Sequence, residues 1–447
     1  MLPPDFISYT SALFGDTRWQ QYFNAFSEPA PVSIRLNPFK TPSNSNSQLS
    51  TLNFQLNQPV PWSRNAYYLS ERPNFTLDPL FHAGAYYVQE ASSMFLDHVL
   101  SSQLSSELCS PEHQRSARTF NSQLVLDLCA APGGKSTLLR ATLPSEALLY
   151  SNEPDRKRAN ILMENMQKQG HPNVVVTNNY PRDYQRSGLL FDMILADVPC
   201  SGEGMFRKDP KTISEWSIDN VLKCQQLQRS IIQDIWSCLK PGGILIYSTC
   251  TFNTRENEEN IQWIIDNFKA EVLTIPVNLD WHIQGSLLSG FDYPVYRFIP
   301  GITRGEGLFM CVLQKRGEEH LDSSLSSESS IVNCQSSIIN YQPIKNASHF
   351  YILHDGRSIS PTIKGKKVIP AHAESLLIST PRDKYPRVEL SLDSALNYLR
   401  HEALSLPPDT PRGYVIVTYK DLPLGFVNNI GTRANNLYPK EWKIRNL

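Results

Sequence analysis

Residues 123–136 read QLVLDLCAAPGGKS: an apolar run passes directly into a loop of small residues that ends in Gly133 and Gly134. Small residues let a backbone approach a ligand closely, and a helix that begins near Lys135 directs free N–H groups at that ligand. The stretch therefore predicts a strand, a ligand-binding turn and a helix, in that order. It does not fit a phosphate-binding P-loop, which needs a glycine where Cys129 stands, and it lacks the spacing of a dinucleotide GxGxxG turn.

Further apolar runs follow this stretch and alternate with helical patterns. The predicted strands are ALLYSN (147–152), NVVVTN (173–178), FDMILADV (191–198) and GILIYST (243–249). Helix-spaced apolar residues lie at Asp155–Gln169 and Ile218–Leu239, and Pro241-Gly242-Gly243 is a stop signal for the second helix. This alternation is typical of a doubly wound α/β domain with helices on both faces of a parallel sheet. EVLTI (271–275) and GLFMCVLQK (307–315) are predicted to complete one sheet edge.

Side chains that could bind a ligand or react follow three of these strands, at the sheet edge where ligands bind in such folds. Glu153 follows the second strand, where an acidic residue suits ribose hydroxyls, although a plain charge at a helix start is equally consistent. Asp197 and Cys200 follow the fourth strand and Cys250 follows the fifth, so the three can share a pocket. A thiolate that adds to a pyrimidine ring makes the adjacent carbon nucleophilic. The joint placement therefore favours cytosine carbon 5 chemistry over three unrelated packing residues.

Composition bounds the remaining possibilities. A chain of 447 residues suggests two or three domains. The eight cysteines form no CxxC pair and no zinc-type spacing with histidine, so no metal site is expected. No apolar run reaches the roughly 18 residues of a membrane span, and the N-terminus lacks a secretory pattern, so we expect a soluble cytoplasmic protein with no membrane partner. The net charge of -1 means that any nucleic-acid surface must be a local patch.

Four segments carry a resemblance to a known family. VLDLCAAPGGKS, NEPDRKRANIL, ADVPCSGEGMFRKD and YSTCTFNTRENEENI resemble, in order, the motifs of the NOL1/NOP2/Sun family of RNA 5-methylcytosine methyltransferases. SIRLN (33–37) and YVQEASS (87–93) match segments upstream of the core in that family. The C-terminal GYVIVTYKDLPLGFVNNIGTRANNLYPKEWKIR resembles the end domain of its RsmF/YebU-like bacterial subgroup. The resemblance covers most of the chain and is strongest over 121–266.

The resemblance implies a domain plan and a substrate. Residues 1–95 would form an N-terminal α/β RNA-binding domain and residues 96–316 a Rossmann-like class I S-adenosylmethionine methyltransferase core. Residues 317–338, which are rich in Ser and Glu, would be a linker, and 339–447 a PUA-like C-terminal RNA-binding domain. The implied substrate is 16S rRNA of the small ribosomal subunit, with tRNA as the alternative, and a monomer is expected. Two other classes are possible: a catalytically idle RNA-binding assembly factor, and a DNA methyltransferase, which the Thr-Cys dipeptide and the C-terminal domain disfavour.

The resemblance also implies roles for individual residues. Cys250 would add to carbon 6 of the cytosine, and Asp197 would hold the ring edge near nitrogen 3 and contact the cofactor. Cys200 would assist loss of the carbon 5 proton and release of Cys250. S-adenosylmethionine would lie on a loop with Glu153 on its ribose; the loop residues are Cys129, Ala130, Ala131, Pro132, Gly133, Gly134 and Lys135.

One position departs from the family pattern. Tyr180 stands where the family often has an Asp on the adenine side of the cofactor. Either Tyr180 stacks on adenine or Asp183 substitutes for the missing acid.

The remaining candidates concern RNA contact and acid chemistry. Arg207 and Lys208 could bind phosphates beside the target, or form a solvated loop. Glu256 and Glu258 could be catalytic acids, but Asn253 followed by Glu256 favours a capping box that opens a helix through Trp263. Basic residues near the C-terminus, interleaved with aromatic ones that mostly suit a core, are further RNA candidates: Arg412, Lys420, Arg433, Lys440, Lys443 and Arg445.

Overall fold

The computed structural model describes residues 2–41, 52, 54–56, 58–109, 123–317 and 349–445. The chain opens with helix α1 (Pro4–Asn24), which kinks at Gly15. A four-stranded antiparallel sheet follows, with strands in the order β2-β3-β1-β4. Its elements are β1 (Val32–Leu36), β2 (Gln58–Pro59), β3 (Ala66–Leu69), the short helix α2 (Pro79–His82) and β4 (Tyr86–Val88). Helix α3 (Phe95–Cys109) then leads towards the core.

The core is one nine-stranded sheet with helices on both faces. Its first half comprises β5 (Leu124–Asp127), α4 (Gly134–Thr142), β6 (Leu148–Asn152), α5 (Arg156–Gln169), β7 (Val174–Thr177) and α6 (Pro181–Ser187). Its second half comprises β8 (Phe191–Asp197), α7 (Lys211–Glu215), α8 (Ile218–Ile235), β9 (Leu239–Thr249), α9 (Glu258–Phe268), β10 (Glu271–Val272), β11 (Tyr296–Phe298) and β12 (Leu308–Gln314).

The strand order is that of a doubly wound sheet. It runs β10-β12-β9-β8-β5-β6-β7-β13, where β13 (Ile352–Asp355) comes from the C-terminal part and β11 pairs with β12. The five strands β9, β8, β5, β6 and β7 are parallel, whereas β12 and β13 run antiparallel at the two sides. The parallel sheet predicted from the apolar runs is confirmed, and β10 and β12 complete one edge as expected.

Both faces of the sheet are buried, which explains the near-continuous apolar strands. Val125 and Ile246 belong to the apolar cluster on one face. Leu126 and Leu245, their neighbours in sequence, belong to the cluster on the other face. Because successive side chains of a strand point to opposite faces, every position must be apolar when helices cover both sides.

The predicted end of the helix before β9 was wrong. Helix α8 ends at Ile235, a single 3-10 turn follows at Trp236–Cys238, and β9 already begins at Leu239. Pro241 and Gly242 therefore lie inside the start of the strand. Proline lacks the N–H that a residue in the middle of a strand donates to its neighbour. It is therefore tolerated near the first residues of a strand, where that hydrogen bond is not required.

The C-terminal part contains a small second sheet. A hairpin of β14 (Thr362–Lys364) and β15 (Lys367–Ile369) precedes α10 (His372–Leu376). A sheet in the order β16-β17-β18-β19 follows, formed by β16 (Arg387–Glu389), β17 (Gly413–Tyr419), β18 (Leu422–Asn429) and β19 (Ala434–Asn436), with α11 (Leu392–Leu399) between the first two. Of the expected linker, residues 318–338 lie outside the described residues.

The N-terminal sheet and the C-terminal part pack on each other. Ile34 and Leu80 share one apolar cluster with Leu399 and Val417, although more than 300 residues separate them in sequence. The buried ammonium group of Lys40 adds polar contacts near this seam, because it donates to the carbonyl oxygens of Ala83 at 2.8 Å and Lys168 at 2.6 Å. Among the helices in the described ranges, none has the length and apolar character to cross a bilayer.

Candidate active site

A cleft of about 350 Å³ opens at the carboxyl edge of the core sheet. The loop between β5 and α4 forms one wall. Gly133 precedes α4 with a φ of 117°, a backbone conformation that favours glycine. Helix α5 holds the loop from behind, since Arg158 donates to the carbonyl oxygen of Ala131 at 2.9 Å and Asn165 to that of Pro132 at 2.8 Å.

The cleft collects most of the residues predicted to contact the cofactor. Gly133, Glu153 and Tyr180 are not among its lining residues. Those that line it are Cys129, Ala130, Ala131, Pro132, Gly134, Lys135 and Asp197.

The N-terminal sheet supports helix α4, which follows this loop, and the sequence did not reveal this contact. Arg35 on β1 is buried, and its guanidinium donates to the Thr137 hydroxyl at 2.6 Å and to the Gln89 side chain at 2.9 Å. Burial lowers the pKa of Arg35 to about 10. Arg35 and Gln89 lie in the two upstream segments quoted above, so those motifs brace the first turn of α4.

Two buried carboxyl groups lie behind the loop. Asp127 accepts from the Ser136 hydroxyl at 2.7 Å through one oxygen, and its other oxygen has no hydrogen-bond partner within the described residues. Glu153 accepts from the Asp155 backbone at 3.1 Å through Oε1, while Oε2 pairs with Arg158 at 3.3 Å. Burial raises the pKa of Asp127 to about 7 and also raises that of Glu153. Such acceptors fit a bound group that carries hydroxyl or ammonium donors.

The two predicted reactive cysteines meet at the mouth of the cleft. Their sulfur atoms lie 3.3 Å apart and both thiols are free. Cys250 lines the cleft, whereas Cys200 lies beside it. The hydrogen bond with Cys250, together with burial, raises the pKa of Cys200 well above its usual value. Cys200 is therefore a neutral thiol beside Cys250 at neutral pH.

Asp197 lies in the same cleft and is held on both oxygens. Lys135 contacts one oxygen at 2.9 Å, and the Ser248 hydroxyl donates to the other. Burial lowers the pKa of Lys135, but the attraction of Asp197 exceeds that effect, so the pKa stands above its usual value. A charged lysine and a fixed carboxylate thus face the same space as Cys250.

Backbone contacts fix Cys250 against the Cys200 loop. The Gly204 N–H donates to the Cys250 carbonyl oxygen at 2.6 Å. A Cβ atom at Gly204 would lie 2.6 Å from that oxygen, closer than real contacts allow. Glu203 is buried and accepts from the backbone N–H groups of Phe252 at 2.6 Å and Asn253 at 3.1 Å. The close approach of the two loops therefore requires glycine at 204.

Glu256 and Glu258 serve the scaffold, as the sequence favoured. Glu256 is buried and accepts from the Ser201 backbone at 3.0 Å and from Gln228 at 2.7 Å. Asn253 and Glu256 exchange two hydrogen bonds like a capping box. The helix, however, begins only at Glu258, so the predicted start was early. Glu258 forms a fully buried ion pair with Arg297 at 2.8 Å.

The alternative of a solvated loop was wrong for Arg207, whose guanidinium is engaged within the protein, and its phosphate contact stays a prediction. Its side chain is 8% exposed, pairs with Glu306 at 3.0 Å and donates to the Glu28 carbonyl oxygen at 3.0 Å. These contacts tie the Cys200 loop to the segment between α1 and β1 and to the segment before β12. Lys208, by contrast, is exposed and lines the cleft.

Tyr180 and Asp183 lie outside the cleft lining. Tyr180 is 58% exposed, and the Asp183 carboxylate accepts from the Tyr180 backbone N–H at 2.9 Å. Asp183 also pairs with Arg186 at 3.7 Å, so it caps α6. Tyr180 therefore exposes much of its side chain at the end of β7, with the Arg182 guanidinium 5.8 Å from its ring centroid, whereas Asp183 is engaged by its own helix.

The C-terminal aromatic residues belong mainly to the core, as expected. Tyr419, Phe426 and Tyr438 are buried. The described part of the chain contains no cluster of three or more His, Cys, Asp or Glu side chains suited to a metal ion.

Three family models match successive parts of the chain. Residues 118–314 match the 16S rRNA methyltransferase RsmB/F, residues 2–91 the N-terminal domain of 16S rRNA methyltransferase RsmF, and residues 385–444 the methyltransferase RsmF PUA domain. Together the three matches follow the order of the observed units.

Curated relatives carry one name, ribosomal RNA small subunit methyltransferase F. The protein of Pectobacterium atrosepticum is 33% identical over 304 residues, which span 67% of this chain and 59% of that protein. The protein of Aliivibrio fischeri is 26% identical over 461 residues, or 94% of this chain and 93% of the relative. That of Salmonella heidelberg is 27% identical and covers 95% and 92%.

Solved structures share the fold. A methyltransferase homolog protein from Pyrococcus horikoshii superposes with a TM-score of 0.54 at 27% identity, over 70% of this chain and all of that one. NSun6 from Pyrococcus horikoshii with SFG has a TM-score of 0.56 at 19% identity, over 70% and 98%.

Proposed function

The chain belongs to the RsmF family of 16S rRNA methyltransferases, and from this premise we propose that it methylates carbon 5 of a cytosine in 16S rRNA through a covalent bond to Cys250. S-adenosylmethionine would supply the methyl group. The observation that carries the proposal is that Cys250 shares one cleft with the Lys135–Asp197 pair, while the Cys200 thiol lies 3.3 Å from the Cys250 sulfur beside that cleft. A catalytically idle RNA-binding protein would not need these groups together.

The arrangement supports each residue's part in the reaction. The Cys250 thiolate forms a bond to carbon 6, and the displaced ring electrons make carbon 5 nucleophilic. Asp197, oriented by Lys135 and Ser248, holds the ring edge near nitrogen 3, and the charged Lys135 ammonium offsets the negative charge that develops there. After carbon 5 takes the methyl group, its proton passes to solvent water with the assistance of Cys200. The electrons of the broken C–H bond restore the ring double bond and expel Cys250 as a thiolate. Cys200, a neutral thiol in contact with Cys250, can donate a hydrogen bond to the departing sulfur.

The cofactor would lie along the β5–α4 loop. Residues 129–135 offer backbone groups at a helix start, and Glu153 follows β6, where ribose hydroxyls are bound in related folds. The acceptor oxygen of Asp127 that lacks a partner and the buried carboxylate of Glu153 support this fit. Tyr180, with its exposed ring, is the better candidate for the adenine side, because Asp183 caps α6.

The target base must be unpaired or flipped, because carbons 5 and 6 are shielded in a duplex. Lys208, exposed at the cleft, is the candidate for a phosphate beside that base. The family name supports 16S rRNA, with tRNA as the second candidate for the same chemistry.

The test is to trap the covalent intermediate. Cys200→Ala would be incubated with S-adenosylmethionine together with one substrate per reaction, namely 16S rRNA, 30S subunits or tRNA. Each reaction would then be denatured. We expect a stable protein–RNA adduct with a 16S rRNA substrate, and sequencing of the trapped RNA would identify the cytosine. The Cys200→Ala, Cys250→Ala double variant is the control and should form none. Absence of both adduct and wild-type methyl transfer with every RNA would refute the proposal.

A further inference from the structure

The hairpin of β14 and β15 projects from the molecule without a protein partner in the described residues. The two strands pair only with each other, and residues 361–368 are all exposed. An isolated two-stranded hairpin is marginally stable in water. A segment of this kind is therefore suited to becoming fixed when it contacts another molecule.

The hairpin tip concentrates positive charge. Lys364 and Lys367 lie directly opposite each other in the strand pairing, and Lys366 lies in the turn between them. Like charges opposite each other destabilise a strand pair. Within the described ranges, no carboxylate forms an ion pair with any of the three lysines. A polyanion would remove this repulsion.

An apolar pair accompanies the lysines. Ile363 and Val368 are cross-strand partners, and they are 71% and 55% exposed. Lysines beside an exposed strand can also serve only to prevent edge-to-edge pairing. The combination of three unpaired cations with two uncovered apolar side chains on one small hairpin, however, matches a polyanion that also has apolar surface, such as the sugars and bases of RNA.

We propose that the hairpin Thr362–Ile369 is an RNA-binding finger that contacts the rRNA backbone through Lys364, Lys366 and Lys367, with Ile363 and Val368 against a sugar or base. This inference rests on the proposed function, because it assigns an additional contact to the same substrate. The basic residues predicted from the sequence to contact RNA are Arg207, Lys208 and six residues at 412–445, all outside this hairpin.

The test compares two triple variants of the full chain by binding to protein-free 16S rRNA at several salt concentrations. In the first, Lys364, Lys366 and Lys367 become Gln; in the matched control, the exposed Lys157, Lys223 and Lys269 become Gln. Each lost phosphate contact reduces the slope of log affinity against log salt by about 1. We expect the hairpin variant to lose roughly tenfold in affinity at moderate salt and about 3 in slope, and the control to lose clearly less.

Two further measurements separate RNA contact from self-association as the role of the exposed apolar pair. Ile363→Ser with Val368→Ser should weaken RNA binding without changing the salt slope, and light scattering would reveal whether these substitutions only alter self-association. Equal affinities and slopes for the hairpin variant and wild type would overturn the inference alone. If wild type neither binds nor methylates any RNA, the proposed function falls and this inference falls with it.

Discussion

At the scale of single residues, buried carboxylates hold the reacting loops together. Glu203 accepts from the backbone beyond Cys250, and Glu256 accepts from the backbone and hydroxyl of Ser201, next to Cys200. Glu306 pairs with Arg207. A carboxylate that collects several donors fixes a loop more firmly than packing alone, since an unsatisfied buried group would be costly. Glu203 and Glu256 position the cysteine loops from outside the cleft lining, whereas Glu306 itself lines the cleft.

The pKa of Glu256 predicts a pH dependence of stability. Burial raises this pKa from 4.5 to about 7 in the folded protein. Between these values the folded state retains a proton that the unfolded state has released, so the contribution of Glu256 to stability falls as pH rises. The slope is at most about 1.4 kcal/mol per pH unit.

Glu256→Gln removes this titration. We expect the difference in the free energy of unfolding, wild type minus variant, to decrease from pH 5 to pH 7 in urea denaturation. The same variant at Glu164, a partly exposed partner of Lys168 on α5, is the control and should show a much weaker trend. A difference that stays constant or increases over this range would contradict the assignment.

At the scale of elements, the turn between β5 and α4 depends on backbone conformation. Gly133 has a φ of 117°, and a Cβ atom there would lie 3.3 Å from side-chain atoms of Leu162 and Asn165. The predicted strand, turn and helix were confirmed because the pattern that encodes them is local. The brace from Arg35 was not predicted, since it joins segments about a hundred residues apart.

Gly133→Ala should therefore lower both stability and cofactor affinity. A non-glycine residue in left-handed backbone costs about 1–2 kcal/mol, and distortion of the turn should weaken S-adenosylmethionine binding by roughly tenfold. Calorimetric titration measures the affinity. Gly242→Ala is the matched control, because Gly242 has a φ of 72° and no atom lies within 4 Å of the added Cβ. Gly242 lies near the start of β9, at the end of this strand away from Cys250. Equal losses of affinity in both variants would show that strain alone is responsible.

At the scale of the whole molecule, the N-terminal sheet and the C-terminal part share one apolar core. Leu80 on α2 is 1% exposed and belongs to the same cluster as Leu399 and Val417. The expected domain boundaries at 95, 316 and 338 stay a prediction. The structure adds that β13, from the C-terminal part, pairs with β7 of the core sheet.

Leu80→Ala should destabilise both outer units together. Removal of a buried leucine side chain costs about 2–5 kcal/mol. We expect hydrogen exchange to increase in β1 and β3 as well as in β17 and β18. The control is Leu279→Ala, at a side chain that is 88% exposed, which should change stability by no more than about 0.5 kcal/mol. Faster exchange confined to β1 and β3 would show that the two units unfold independently.

By itself, the sequence determined the doubly wound sheet, the loop of small residues between β5 and α4, and the convergence of Asp197, Cys200 and Cys250 at one sheet edge. Each depends on local patterns, namely buried strands, small residues in a turn and reactive residues at strand ends, and the parallel sheet brings those ends to one edge. Only the tertiary structure decided that Arg207 is buried against Glu306, that Arg35 braces α4 and that the 362–369 hairpin stands exposed. Whether a charged side chain is desolvated depends on segments far away in sequence, and no local pattern records that contact.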